Sequence, residues 1–345
     1  MSELKVQVVK IDEIKVHNNA DTLELAIVKG WQIIVRKGEF KAGELVVYFP
    51  LDSVMPERLS EAIGVTKYLR SGRIVAAKLR GEPSYGLLWD KRKCEEYIWP
   101  QPFDVRNYGE GDDLTVFLGV TKWEPPPIFN NEDDEKHHVL FEKYTDIQNM
   151  RNYPNTINDG DDVFITEKLH GANARHAYID REFMAGSHNK RKKENENSKW
   201  WSVFSEDMRN LVKTVSEGNG NMPVIMYGEI FGWIQDLHYG FKQGTFGYRC
   251  FGIRVGAKYM DYPEFVGTCN RYNVPTVPVL YRGPFTMAEV MKFSNSKSTI
   301  EGSDNIMEGV VVTPVIERFD HKIGRVILKY VFDQYLTRHG GTEFK

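Results

Sequence analysis

Cysteine is scarce in this 345-residue chain, which has only Cys94, Cys250 and Cys269, an odd number without metal-binding spacing. That excludes a disulfide scaffold and a zinc module built on paired thiols, and reduced thiols are expected. No apolar run approaches the roughly 20 residues of a bilayer-spanning helix, so no membrane partner is expected. The segment Met1-Ser2-Glu3-Leu4-Lys5 lacks the apolar core of a secretory signal. The expectation is a soluble intracellular chain, cytoplasmic or nuclear. Excess charge is missing too: 45 Lys and Arg stand against 48 Asp and Glu, a net −3. A polyanionic partner would therefore need a local basic face rather than a basic total.

Two stretches could supply such a face. In one, Lys67, Arg70, Arg73, Lys78 and Arg80 interleave with Tyr68 and Tyr85; the other is Lys190-Arg191-Lys192-Lys193. The acidic run Glu132-Asp133-Asp134-Glu135 brings the total back towards zero. Just before it, Glu124-Pro125-Pro126-Pro127 can continue neither a helix nor a central strand, because proline lacks the backbone donor and fixes φ. Residues 124–138 read as a linker between a domain at 1–123 and another at 139–345. His137-His138 has no third ligand nearby in sequence and reads as part of that linker.

The first domain carries short strand-like runs at 5–10, 23–28, 32–35, 45–49, 74–79 and 114–117. Glycine turns such as Gly30, Gly38, Gly43 and Gly81 punctuate them, the pattern of a small barrel. In the second domain, residues 198–217 place Trp200, Trp201, Phe204, Met208, Leu211, Val212 and Val215 at helical spacing. This predicts a core-facing helix ended by Gly218-Asn219-Gly220-Asn221.

The densest chemistry lies in Glu167-Lys168-Leu169-His170-Gly171-Ala172-Asn173. Val163 to Thr166 is rich in β-branched and aromatic residues and reads as a strand. Gly171 turns the chain, and Ala174 to Tyr178 returns as a second strand. Lys168 thus ends a strand immediately before a turn, where a lysine can act as a nucleophile. Further along come Met226-Tyr227-Gly228-Glu229-Ile230-Phe231-Gly232, Tyr248-Arg249-Cys250-Phe251-Gly252-Ile253, Met307-Glu308-Gly309-Val310-Val311-Val312 and Arg325-Val326-Ile327-Leu328-Lys329-Tyr330.

In this order the segments resemble the nucleotidyltransferase motifs of covalent lysyl-AMP ligases and mRNA capping enzymes, with His170 pointing to the RNA-ligase branch. His17-Asn18-Asn19-Ala20-Asp21-Thr22-Leu23, with Gly30-Trp31 and residues 80–88, resembles an OB module of the tRNA-binding kind. Two further stretches, 119–126 and 141–149, resemble segments that precede the lysine motif in RNA ligases. Together they resemble the Deinococcus/Naegleria-type RNA ligases over nearly the whole chain.

The resemblance implies an α+β chain. An N-terminal OB-fold β-barrel would precede a nucleotidyltransferase (ATP-grasp-like ligase) domain with antiparallel sheets and flanking helices. It also implies an ATP-dependent RNA ligase, monomeric, sealing 3′-hydroxyl to 5′-phosphate ends at nicks in duplex RNA or an RNA/DNA hybrid. Lys168 would carry AMP, Lys329 would contact the α-phosphate, and Phe251 would stack on adenine. Glu229 and Glu308 would hold Mg²⁺ or Mn²⁺, with Glu229 also able to reach the ribose. Glu167, His170, Gly171 and Asn173 would line the nucleotide pocket, and His188 or Arg191 would hold a phosphate. Alternation along the strand points Glu167 away from Lys168.

Two departures stand out. Ile327 occupies the place of a second lysine, which Arg325 on the same strand face is expected to replace. Gly252 stands where relatives often carry Asp. A GTP-using capping-type guanylyltransferase, a DNA ligase and a non-catalytic OB-containing RNA-binding protein are the alternatives.

Overall fold

The computed structural model describes residues 3–98, 108–124 and 133–338. They divide into two compact units near residue 127. Pro125 to Pro127 and Glu132 lie outside the described residues.

In the first unit, β1 (Gln7–Lys10), β5 (Leu45–Phe49) and β6 (Leu87–Asp90) form one three-stranded sheet in the order β1-β5-β6. A second is formed by β2 (Glu13–Val16), β3 (Leu23–Val28) and β4 (Trp31–Arg36). Alternation explains β4: Trp31, Ile33 and Val35 are buried while Gln32 and Ile34 are half-exposed. Lys29 and Gly30, both at positive φ, close the β3–β4 hairpin in two residues. Helices α1 (Glu57–Ile63) and α2 (Lys91–Ile98) contribute Leu59 and Cys94 to a core with Val8, Val47, Phe49 and Trp89.

Two expected strands are corrected here. Within 74–79 only Ala77–Leu79 is extended, in a hairpin with Glu82–Ser84. Residues 114–117 form a turn, because the Asp113 side chain accepts from the Thr115 amide and Leu118 N–H donates to the Leu114 carbonyl. The first basic stretch also shrinks. Tyr85 is buried, and Arg73 is buried on Asp52 and over Trp123. Tyr68 remains 70% exposed, with Lys67 over its ring.

The second unit is built on two sheets. The five-stranded one runs in the order β7 (Gln148–Asn149), β17 (Leu328–Val331), β16 (Gly309–Pro314), β8 (Asp162–Lys168) and β15 (Val279–Pro284). The six-stranded one runs β11 (Arg191–Lys192), β10 (Glu182–Gly186), β9 (Ala172–Ile179), β12 (Val224–Gly232), β13 (Phe246–Val255) and β14 (Lys258–Tyr259). All pairings are antiparallel except β7–β17.

A cluster of Tyr144, Ala177, Ile225, Tyr227 and Ile327, with Val311 packed against it, joins inner faces of the two sheets. Helices α3 (Glu206–Gly218) and α4 (Tyr262–Arg271) cover the other face of the six-stranded sheet through Met208, Leu211, Val212, Phe265 and Cys269. Short α5 (Met287–Met291) covers the five-stranded sheet through Val290. The aromatic stripe at 200–215 is core, but the single helix expected over 198–217 is two. A short helix Lys199–Ser202 stops, and Ser205 restarts the chain as N-cap of α3 by accepting from the Met208 amide.

His176 sits wholly inside this packing, between Phe204 and Tyr248, bonded to the Trp200 carbonyl. Burial pushes its imidazole down to about 4. Its contribution to stability is therefore complete above the unfolded value near ~6.5 and is lost as pH falls towards about 4. Urea unfolding at stepped pH should show a loss approaching about 1.4 kcal/mol per pH unit in that window, absent in His176→Gln. Parallel pH dependence in both proteins would contradict this assignment.

Candidate active site

β8 is extended because its residues are β-branched and aromatic, and it is central because β15 and β16 pair with its two edges. Its last rung pairs Lys168 with Gly309. The chain then leaves the five-stranded sheet and, from Ala172, enters the six-stranded one as β9. Lys168 therefore stands at the crossover between the two sheets, half-buried.

Glu308, immediately before β16, is buried and places Oε1 at 2.5 Å from Lys168 Nζ. Lys329 lies on the same sheet face: it pairs with Val311, two residues along β16 from the Gly309 rung. Glu167 points to the opposite face, as alternation requires. Its Oε2 accepts from the Thr299 amide at 2.8 Å and hydroxyl at 2.6 Å, and its buried Oε1 has no hydrogen-bond partner.

The crossover is pinned from several sides. Tyr239 Oη accepts from the His170 amide at 2.7 Å, and the Gln235 side chain donates to the Gly171 carbonyl. His170 Nε2 lies 2.8 Å from Asp236 Oδ1, and Nδ1 lies 2.8 Å from Tyr335 Oη on α6 (Asp333–Leu336). A carboxylate can only accept, so Nε2 carries a proton, and Nδ1 shares its hydrogen bond with the Tyr335 hydroxyl. Nδ1 is also 3.9 Å from Glu308 Oε2. Arg338 holds both oxygens of Asp236, at 2.8 and 3.2 Å.

Burial pushes the Tyr239 phenol up, and negative charge from Glu308, Glu167 and Glu229 adds to this. These three carboxylates thus share one neighbourhood. Gly171 fits there only because it has no side chain: a Cβ would fall 2.0 Å from the Ile230 carbonyl oxygen and 3.2 Å from Glu229 Cγ. Glu229 itself pairs with Asn173 on one side and Arg249 on the other. Asn173 Oδ1 is buried without a hydrogen-bond partner, an acceptor aligned on the same rung.

Residues 161–331 match the RNA ligase family model. This domain belongs to the RNA ligase family. Residues 5–90 match an OB-fold domain model, so this RNA ligase has the expected α+β plan, with an OB-fold unit preceding the ligase domain. Comparison with curated proteins gives no match.

Among solved structures, a Naegleria gruberi RNA ligase variant with ATP and Mn aligns with a TM-score of 0.78 at 24% identity, over 98% of this chain and 99% of that one. The same ligase with PPi aligns at 0.75 and 25% identity, over 98% and 99%. A variant with AMP and Mn aligns at 0.77 and 24%, over 97% and 98%.

Other expected site residues lie apart from Lys168 in their contacts. Phe251 is the extra residue of a bulge, since Tyr227 pairs with Gly252 and Gly228 with Cys250. The bulge leaves its half-buried ring edge-on to Tyr144 at 4.8 Å. His188 faces Asp146 at 3.6 Å in a cleft of about 440 Å³, lined also by Lys143, Arg175 and Asn189. Burial pushes its imidazole down, against the pull of Asp146.

Arg175 is a cleft residue that the sequence pattern does not single out. Burial pushes it down to about 10, and its guanidinium donates to the Ser187 and Phe141 carbonyls. Its signal in the sequence is an arginine in mid-strand among apolar residues. Arg191, by contrast, is drawn to Glu135 at 2.6 Å.

Arg325 is corrected. The run 325–330 is not one strand: Arg325 ends a hairpin of Phe319–Asp320 with Gly324–Arg325, and Ile327 N–H folds back to the Arg325 carbonyl. Its guanidinium bonds to both Glu317 oxygens and to Tyr144 Oη, and stacks over Tyr259. Desolvation would lower it, but Tyr144 and Glu317 together hold it above its ordinary value. It braces the inter-sheet core instead of replacing a phosphate-binding lysine. Ile327 belongs to the same core, 3% exposed beside Tyr227 and Tyr144, which accounts for an apolar residue there.

Among the described residues, no cluster of three or more His, Cys, Asp or Glu could hold a metal unaided. Mg²⁺ and Mn²⁺ do not need one, since such ions bind through one or two carboxylates with phosphate and water completing the shell. Glu229 and Glu308 offer the hard oxygen donors that mode requires.

Proposed function

We propose that this RNA ligase is ATP-dependent and joins a 3′-hydroxyl to a 5′-phosphate through AMP carried on Lys168. The supporting observation is the Lys168–Glu308 contact at 2.5 Å, set at the crossover between the two sheets within the ligase domain. The Naegleria ligase structures with ATP, AMP and PPi are consistent with adenylyl transfer on the same fold.

In the first step Lys168 Nζ, once deprotonated, attacks the α-phosphorus in line and pyrophosphate leaves. A lysine keeps its proton up to about pH 10 unless its surroundings intervene. Glu308 holds the ammonium in the resting chain, and releasing it is part of activation. A divalent ion on Glu229 and Glu308 would supply charge neutralisation at the phosphates.

Lys329, on the same face as Lys168, contacts the α-phosphate. Phe251 stacks on adenine, while Asn173 offers its buried acceptor to the nucleoside; Glu167, turned to the other sheet face and held by Thr299, does not reach it. Glu229 serves the metal or the ribose. His188, with Arg175 and Lys143 in the same cleft, receives the RNA 5′-phosphate. AMP then passes to that phosphate, and the 3′-hydroxyl displaces it.

Nicks in duplex RNA, or in a hybrid with ribonucleotides on the 3′ side, are the proposed substrates. The 2′-hydroxyl and A-form shape give the protein means to select them. The test is sealing of a nicked duplex whose 3′ side is RNA or DNA, with ATP and Mn²⁺. Rapid sealing of the RNA version with AMP release is expected; equal sealing of all-DNA nicks would move the enzyme to the DNA ligases.

A further inference from the structure

The acidic residues 133–135, which the sequence presented as linker, are docked on the basic run 190–193. Lys193 N–H donates to the Asp133 carbonyl at 2.8 Å, and Glu135 N–H to the Arg191 carbonyl at 3.0 Å. Asp134 forms a bridge opposite Lys192 and so extends the edge of the six-stranded sheet. Charges pair along this seam. Asp134 takes Lys192 and, at 3.6 Å, Lys190; Glu135 takes Arg191 at 2.6 Å. The linker boundary at 138 is thereby corrected, since this segment belongs to the ligase unit.

We propose that the edge strand at Lys190 to Lys193 is a tract for the RNA phosphodiester backbone, covered in the resting chain by residues 133–135 as an internal polyanion. This rests on the ligase reading. The cations exceed what the fold itself requires: Lys190 is 63% exposed, Lys193 is exposed, and neither belongs to a core cluster. Behind them Lys192 and Lys199 crowd the Trp200 ring at 5.1 and 4.9 Å, and burial together with the Lys192 charge pushes Lys199 down.

Such a concentration of positive charge calls for an anion, and the acidic segment meets that need only while it stays docked. The Lys190–Asp134 pair, with its lysine exposed, is weak and screened by salt, whereas Lys192–Asp134 and Arg191–Glu135 are largely buried and must be exchanged for another anion rather than left open. A row of phosphates can displace them with counterion release as an added gain. The location suits the exchange. The chain runs from the acidic segment directly into residues 137–146, whose side chains line the cleft with Arg175 and His188. RNA bound in that cleft would meet this edge next.

The test uses the whole chain and a nicked RNA duplex with a 5′-hydroxyl, which cannot be sealed. Neutralising the segment (Asp133→Asn, Asp134→Asn and Glu135→Gln together) should tighten binding about tenfold at low salt and steepen the log–log salt dependence by about two. Adding Lys190→Ala, Lys192→Ala and Lys193→Ala should reverse both changes. Unchanged or weaker binding by the neutralised variant would overturn the proposal.

In the unmodified protein, the Glu135 and Lys193 amides should lose hydrogen-exchange protection when the duplex is added. Retained protection at saturating duplex would overturn the proposal equally, whatever the variants' stability. Labelling of Lys168 by ATP should be the same with or without the acidic charges. Loss of labelling in the unmodified protein would instead strike the ligase reading.

Discussion

Gly171→Ala should cost about 3 kcal/mol or more of stability and lower the rate of Lys168 adenylylation by at least about a hundredfold. The added carbon would lie 2.0 Å from the Ile230 carbonyl oxygen, a backbone atom on the strand paired with β9 at Ala172. No side-chain rotation relieves that contact, so β9 and β12 must part. Lys168, three residues upstream, then moves away from Glu308. Gly267→Ala in α4 is the control: a Cβ added there meets nothing within 4 Å, and helix propensity predicts a gain of about 0.5–1 kcal/mol. Denaturant midpoints and single-turnover labelling rates check both, and a wild-type rate for Gly171→Ala would refute the close-approach argument.

The second large effect concerns Asp236→Asn, with a fall in labelling rate of about 10–100-fold, as for comparable outer-shell partners, and little change in the ATP concentration at half-maximal rate. Asp236 holds the His170 imidazole at 2.8 Å and is itself clamped by Arg338. With Nε2 fixed as the donor, Nδ1 is turned towards Tyr335 and the Glu308 carboxylate that holds Lys168. An amide has one acceptor oxygen for both His170 and Arg338, so the ring loses its fixed orientation. Asp236 acts through His170 and Glu308 and is a positioning residue. Rapid-quench labelling across ATP concentrations separates rate from binding. A defect confined to ATP binding, or no defect, would contradict this role.

The parts of the site that are legible in the sequence are those fixed by local pattern. Lys168 ends a run of β-branched residues, Glu308 precedes a run of valines, and Glu167 alternates away from its neighbour. Each is a property of one strand, and each strand forms. Asp236, Tyr239, Tyr335 and Arg338 escape a sequence reading because they lie on irregular segments or a short terminal helix with no periodicity to mark them. Their function arises from contacts reaching 66 to 165 residues along the chain.

Arg325 misleads because the apolar run after it looks continuous, while the backbone folds back at Ile327 and gives the arginine to Glu317. The basic run at 190–193 suggests an open face. Its counter-charges sit some 55 residues upstream in a polar stretch that shows no strand pattern of its own. The break before α3 is readable in principle, since Ser205 before Glu206 and Asp207 is an N-cap signal, but the aromatic stripe across it masks the interruption.

The central claim is that Lys168 becomes covalently adenylylated. The most direct measurement incubates nucleotide-stripped protein with ATP or GTP labelled at the α-phosphate and a divalent metal, beside Lys168→Ala. The account predicts acid-labile label from ATP on the unmodified chain and none on the variant. Label from GTP alone would indicate a capping-type enzyme, and no label from either nucleotide with Mg²⁺ or Mn²⁺ would contradict the account.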